Sequence, residues 1–357
     1  MASSQKVLMK GNEALAEAAI QAGCRHFFGY PITPQTEVAA YMAKRMPKIG
    51  GTYLQAESEV AAINMVYGAS SAGVRAMTSS SSPGISLKTE GISYLAGADL
   101  PCLIINVQRG GPGLGGIQPS QADYWQATRA PGHGDLHILV FAPATIQEMV
   151  DLVFDAFELA DTYRMPAMIL ADGMLGQMME PVIFPEKQVT PIDKSGWATT
   201  GTQCQRPHHV TNSLFLQPDQ LEQKVVERFE RYAQIQEKHT RCEEYLTEDA
   251  EYVVVAYGAT ARIARSAVNA AREQGIKAGL IRPITLWPYP SAAISAAVDR
   301  GAKGFLSVEM SMGQMVDDVR LAVNGRAQVA FFGRTGGIIP TPAEVLEHIQ
   351  KLAGGER

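Results

Sequence analysis

The segment PCLIINVQ, residues 101–108, constrains the chain more than any other. Residues 101–105 run on apolar without polar alternation, so a strand here must be covered on both faces. The neighbouring sequence supplies the covers. NEALAEAAIQAG and SEVAAINMVYGASSAG have helical spacing and stop at Gly23 and Gly73, and Pro83 suits the first position of a helix through GISLKTEGISYLAGA. Between them fall HFFG, which breaks at Pro31 and Pro34, and VRAMTSSSS, which runs into a hydroxyl-rich turn. LHILVFAP, the long helix IQEMVDLVFDAFELADTYR and MPAMILAD continue the alternation. Strands alternating with helices predict an α/β fold whose parallel sheet carries helices on both faces.

That pattern is interrupted from about Val182 to Ala250, where prolines and HHVTNS precede the charged run LEQKVVERFERYAQIQEKHTRCEEYL, expected as one long helix. Alternation resumes at Tyr252 with YVVVAYGA, ARIARSAVNAAREQG, and KAGLIRPITLWPYP as a strand and turn. It closes on PTPAEVLEHIQKLAG. The expected organisation is therefore a first α/β domain over 1–182, a connector over 183–250 and a second, smaller α/β domain over 251–357.

The composition is 46% apolar and 19% charged, enough for a sizeable core. A net charge of −5 argues against nucleic acid or an anionic membrane as the main partner, since both reward a basic face. No run reaches the roughly 18 apolar residues that span a bilayer, and MASSQKVLMKGNEALAEAA has no secretory apolar core. A cytoplasmic location is expected. The four cysteines, Cys24, Cys102, Cys204 and Cys242, are scattered, so neither a disulfide framework nor an iron–sulfur ligand set is expected on this chain.

Several motifs compete for the chemistry. Gly111, Gly113 and Gly116 satisfy G-x-G-x-x-G, but a dinucleotide site needs a helix opening on those glycines, and IQPSQ follows with Pro119. Cys204, His208 and His209 in CQRPHH fit an ordinary turn better than a metal site. Ser79 to Ser82 have no histidine nearby in sequence, and are expected to cap the next helix. Arg109 ends the apolar strand, where open α/β sheets place ligands, and its guanidinium suits a carboxylate; a partner such as Asp123 is the plainer alternative. Glu57 and Glu59 flank Ser58 at a helix start. There carboxylates serve the helix dipole, or one of them can act on a ligand nitrogen in a crevice.

GYPITPQTE, QAESEVAAINMVYGASSAG, MTSSSSPGISLKTEGISYLAGADLPC and NVQRGGPGLGG resemble, in this order, the alpha-type subunit of the 2-oxoacid:ferredoxin oxidoreductases. GGIQPSQAD fits the branched-chain (2-ketoisovalerate) type best, and IRPITLWPYP and VEMSMGQM are similar to that subunit's transketolase C-terminal-like domain. The resemblance implies two doubly wound parallel-sheet domains, the first holding the pyrimidine half of thiamine diphosphate. The family's motif glutamate falls on Glu59. It would hydrogen-bond the pyrimidine nitrogen and favour the imino form, which requires a carboxyl able to share a proton. Pro31 and Ile32 would line the cofactor, Thr33 would donate to the 2-oxoacid, and Arg109 would bind the substrate carboxylate. The chain has ADG at 171–173 without a matching asparagine, so magnesium and the diphosphate are expected on a beta-type subunit. Gamma-type and ferredoxin-like delta-type subunits would carry [4Fe-4S] clusters, and coenzyme A and ferredoxin would complete the oxidative decarboxylation. The wording of the glycine loop departs from GPSTGLPT, which leaves 2-oxoglutarate or an aryl-2-oxoacid as alternative substrates.

Overall fold

The computed structural model describes residues 6–186, 189 and 192–355. The first half contributes strands β1 (Val7–Lys10), β2 (His26–Gly29), β3 (Thr52–Gln55), β4 (Ala76–Ser80) and β5 (Cys102–Gln108). It continues with β6 (Leu139–Phe141), β7 (Pro166–Asp172) and β8 (Met179–Val182). The second half contributes β9 (Cys242–Tyr245), β10 (Tyr252–Val255), β11 (Ala278–Pro283), β12 (Thr285–Trp287), β13 (Gly304–Glu309) and β14 (Gln328–Gly333).

The larger sheet has the order β12-β6-β7-β5-β4-β2-β3, and six of its strands run parallel. All seven residues of β5 are buried, because strands flank it and helices cover both faces. Strand order reverses between β2 and β4. Beyond their carboxyl ends lie Tyr30–Gln35 and the serine turn, and this is where such sheets open a ligand crevice. The second sheet, β14-β13-β10-β11-β9, is parallel except for β9.

Two expectations need correction. The charged connector helix spans Pro218–His239 and stops there, and Cys242–Tyr245 of the supposed helix instead form an antiparallel edge strand against β11. Pairing of Cys242 with Pro283 and of Glu243 with Arg282 outweighs the local charge pattern of the RCEEYL segment. The turn expected within LWPYP is preceded by a further strand, β12, which crosses to the larger sheet and pairs antiparallel with β6. Trp287 of β12 stacks on His137 with ring centroids 4.8 Å apart, and Tyr232 of the connector helix meets Trp287 edge-on. The helix Thr36–Arg45 and the strand β3 were not anticipated at all.

The halves meet again along GIQPSQAD. Buried Gln121 donates to the Tyr257 carbonyl (2.8 Å) and accepts from Thr260 and from the Met310 amide (3.0 Å). Its own amide donates to the Met310 carbonyl (2.8 Å). Close by, Glu309 is wholly buried yet accepts five hydrogen bonds, from Ser307, Ser311 and the amides of Gln314, Met315 and Val316, at 2.9–3.0 Å. It thereby fixes the start of the helix Met315–Val323.

Candidate functional site

The helix Glu59–Ser71 separates the two glutamates that the sequence set side by side. Ser58 caps it, accepting from the Ala61 amide at 3.2 Å. Glu57, one residue before the cap, is exposed and accepts from the Ser58 hydroxyl (3.3 Å). Glu59, one residue after it, is 6% exposed, and among the described residues no hydrogen-bond donor reaches its carboxylate. The carboxylate lies against Gly84, in the first turn of the helix Ser82–Gly97: a Cβ at 84 would stand 2.7 Å from Glu59 Oε1 and would also strike the Ser80 hydroxyl. Glycine is required there because backbone and carboxylate approach so closely.

Above this point sits the serine turn, and its hydroxyls do not do what was expected of them. Ser81 stands at the N-cap of Ser82–Gly97 but its side chain caps nothing. Ser79 donates to Gln35 Oε1 (2.6 Å), tying the turn to the YPITP loop. Ser82 donates to Asp123 Oδ2 (2.6 Å) and accepts from the Arg109 amide (3.0 Å). The hydroxyls of Ser80 and Ser81 are buried without a partner. Orphaned buried hydroxyls cost free energy unless a ligand or water meets them.

Arg109 is buried and its two terminal nitrogens donate to backbone carbonyls, Nη1 to Thr33 (3.0 Å) and Nη2 to Leu114 (3.1 Å); its buried Nε has no partner. The guanidinium thus pins the YPITP loop to the glycine loop, which brings Thr33 and Arg109 together. Asp123 is not its hydrogen-bonded partner: that carboxylate takes Ser82 and Asn106 (2.9 Å). Burial pushes the Asp123 carboxyl above the usual range, opposed by those two hydrogen bonds and by the Arg109 charge. In the YPITP loop Pro31 and Thr33 are exposed and Ile32 half-buried, so all three present surface. The glycine loop opens no helix. Arg109 instead bridges back to Pro119, and Gly110 donates to the Gln118 carbonyl (3.2 Å), so no helix N-terminus is offered to a pyrophosphate.

Sequence reasoning missed Lys88. It is wholly buried on the helix Ser82–Gly97, one turn beyond Gly84, and donates to the Thr78 hydroxyl (2.9 Å). Burial pulls its ammonium down to about 8, with Glu59 as the opposing influence. The signal was present: a lysine four residues after the glycine that faces Glu59 shares that glycine's helical face.

The arrangement fits an aminopyrimidine. A buried carboxylate with no donor among the described residues, the glycine it packs against and two orphaned buried hydroxyls lie beyond the strand ends at the sheet's switch point, acceptors and donors suited to a ring nitrogen and an exocyclic amine.

Comparison with known proteins agrees. Residues 17–250, more than half of the chain, match the family described as pyruvate flavodoxin/ferredoxin oxidoreductase, thiamine diphosphate-binding. Residues 250–345 match the pyruvate:ferredoxin oxidoreductase core domain II. The ketoisovalerate oxidoreductase subunit VorB of Methanothermobacter thermautotrophicus is 51% identical over 97% of this chain and 98% of its own. The 2-oxoglutarate synthase subunit KorA of the same organism is 37% identical over 98% and 99%. Among solved structures, a 2-oxoglutarate:ferredoxin oxidoreductase from Magnetococcus marinus superposes with a TM-score of 0.87 at 26% identity; it covers 98% of this chain, which spans 66% of that longer one. A split-gene transketolase, at 15% identity and a TM-score of 0.61 over 98% of this chain and 99% of that one, shares the fold. Gathered around a buried, unbonded glutamate, these likenesses make the chain a member of the thiamine diphosphate-dependent 2-oxoacid:ferredoxin oxidoreductase family, as its alpha-type subunit.

Proposed function

We propose that this chain supplies the pyrimidine side of a thiamine diphosphate site that converts a 2-oxoacid and coenzyme A to acyl-CoA and CO2, passing two electrons to ferredoxin. The observation that carries the proposal is Glu59, a buried carboxylate with no hydrogen-bond donor among the described residues, beside Gly84. Thiamine diphosphate supplies a nucleophilic carbon and a sink for the electrons left by decarboxylation. Glu59 would accept a hydrogen bond from the pyrimidine nitrogen and share its proton. Pro31 and Ile32 would line the ring. Thr33 donates to the substrate, and Arg109 orients the substrate carboxylate while its backbone contacts hold both loops in register. A beta-type subunit contributes the diphosphate and magnesium half. Gamma- and delta-type subunits carry the [4Fe-4S] clusters that take electrons to ferredoxin.

The favoured substrate is a branched-chain 2-oxoacid. Identity to the ketoisovalerate oxidoreductase subunit exceeds that to the 2-oxoglutarate synthase subunit, 51% against 37%. The loop after Arg109 presents Leu114 and Ile117, 84% and 56% exposed, and residues 110–117 include no second cation for a distal carboxylate. The test is to purify the complex and measure ferredoxin reduction over a panel of 2-oxoacids. The highest kcat/KM is expected with 2-ketoisovalerate. A preference for 2-oxoglutarate would overturn the substrate assignment, and an iron-free active complex would overturn the ferredoxin route.

A further inference from the structure

Wholly buried lysines are rare, because an ammonium away from water needs a compensating partner. Lys88 has two neighbours that matter. On one side Thr78 of β4 accepts its hydrogen bond at 2.9 Å. On the other lies Glu59, the one charged group among the described residues whose charge acts on it, although no direct ion pair joins the two. The placement follows from the elements. Gly84 and Lys88 are one turn apart on the helix Ser82–Gly97, and Thr78 and Ser80 share one face of β4. Glu59, Gly84 and Ser80 therefore form one layer, and Lys88 with Thr78 forms the layer one helical turn further along.

We propose that Lys88 is a positioning residue for Glu59: its buried ammonium, anchored on Thr78, fixes the placement of the carboxylate that meets the cofactor and the field in which it works. The inference rests on the role proposed above for Glu59. A cation behind the carboxylate strengthens it as the acceptor of a hydrogen bond from the ligand nitrogen. In a site of low dielectric a charge acts well beyond contact distance, so a bridging hydrogen bond is not needed. Lys88 itself gives up its proton near pH 8, so the support is withdrawn as the pH rises through that value.

Two measurements on the assembled complex, with Lys88→Met, Glu59→Gln and the double variant, test this. The first is thermal melting of the cofactor-free protein across the four-member cycle. The expected result is a non-additive shift, because removing either charge leaves the other buried and uncompensated; additive shifts would overturn the charge coupling. The second is the pH dependence of kcat. The wild type is expected to lose activity as the pH rises through about 8; Lys88→Met should lower kcat roughly tenfold at neutral pH with the 2-oxoacid KM little changed, and should show no such loss. An unaltered pH profile would overturn the proposal, since a packing role alone moves stability and not the profile. If Lys88→Met does not assemble, Lys88→Gln keeps a donor for Thr78 without the charge, and both measurements are read on it in the same way. Full turnover by Glu59→Gln would instead reject the Glu59 role, while the melting cycle would still report whether the two residues are coupled.

Discussion

Two buried carboxylates, about as deeply placed, are treated in opposite ways. Glu309 accepts five hydrogen bonds at the start of a helix, and every donor around it belongs to the fold. Glu59 also stands at a helix start but accepts none among the described residues, and it shares the Gly84 surface with the Ser80 hydroxyl, which is buried without a partner. Burial alone therefore does not mark function. A satisfied carboxylate is part of the scaffold, and the one without a donor among the described residues is the one to which a ligand is assigned above.

The contrast can be broken most directly at Glu59. Glu59→Ala should leave the complex assembled and reduce turnover by about 10²–10⁴-fold, the range for a proton-handling group, as read by ferredoxin reduction; near-normal turnover would remove the central role given to it. Glu309→Ala should do the reverse. It strands three backbone amides and should cost about 3–5 kcal/mol of stability, seen in thermal melting, with activity lost only as the protein unfolds.

A third case sharpens the comparison through pH. Asp172 is buried at the seam and caps Gly173–Gln177 through Met174 and Leu175, and burial raises its carboxyl to about 6 against those hydrogen bonds. Its folded value lies above its unfolded one, so the ionised form costs stability above pH 6, and that cost fades as the pH falls from about 6 towards 4. Asp172→Asn should accordingly melt higher than wild type at pH 7–8, by at most ~3 kcal/mol, and the advantage should vanish by about pH 4. The smallest effect is expected at Arg109→Lys. Lysine cannot span the carbonyls of Thr33 and Leu114 and also present a fork, so the KM for the 2-oxoacid should rise roughly tenfold with less change in kcat.

Much of this was legible in the sequence wherever local pattern and tertiary environment agree. The apolar run that opens β5 announced a strand covered on both faces, and Ser58 announced a helix start. The motif order pointed to Glu59, Thr33 and Arg109, but residue types alone left Glu57 and Glu59 equal; only the fold puts one outside and one inside. Legibility failed where long-range pairing decides. Cys242–Tyr245 look helical until β11 offers them an edge, and the serine turn looks like a cap until Gln35 and Asp123 compete for its hydroxyls. Lys88 escaped notice because a lysine on a helix is ordinarily a solvated one.

The short strand β12 has a bearing on how this protein can be taken apart. Its three residues belong by sequence to the second half, yet they complete the edge of the first sheet and set Trp287 over His137. Cleaving the chain near residue 250 would uncover the rim of β6 and strip that indole from its stack, leaving a sticky border of the kind that recruits other chains. Each half is thus an incomplete building block. A chimera that swaps the C-terminal half between relatives must carry a matching β12, or it inherits an open seam; unfolding of the intact chain should accordingly proceed as one cooperative transition, not two.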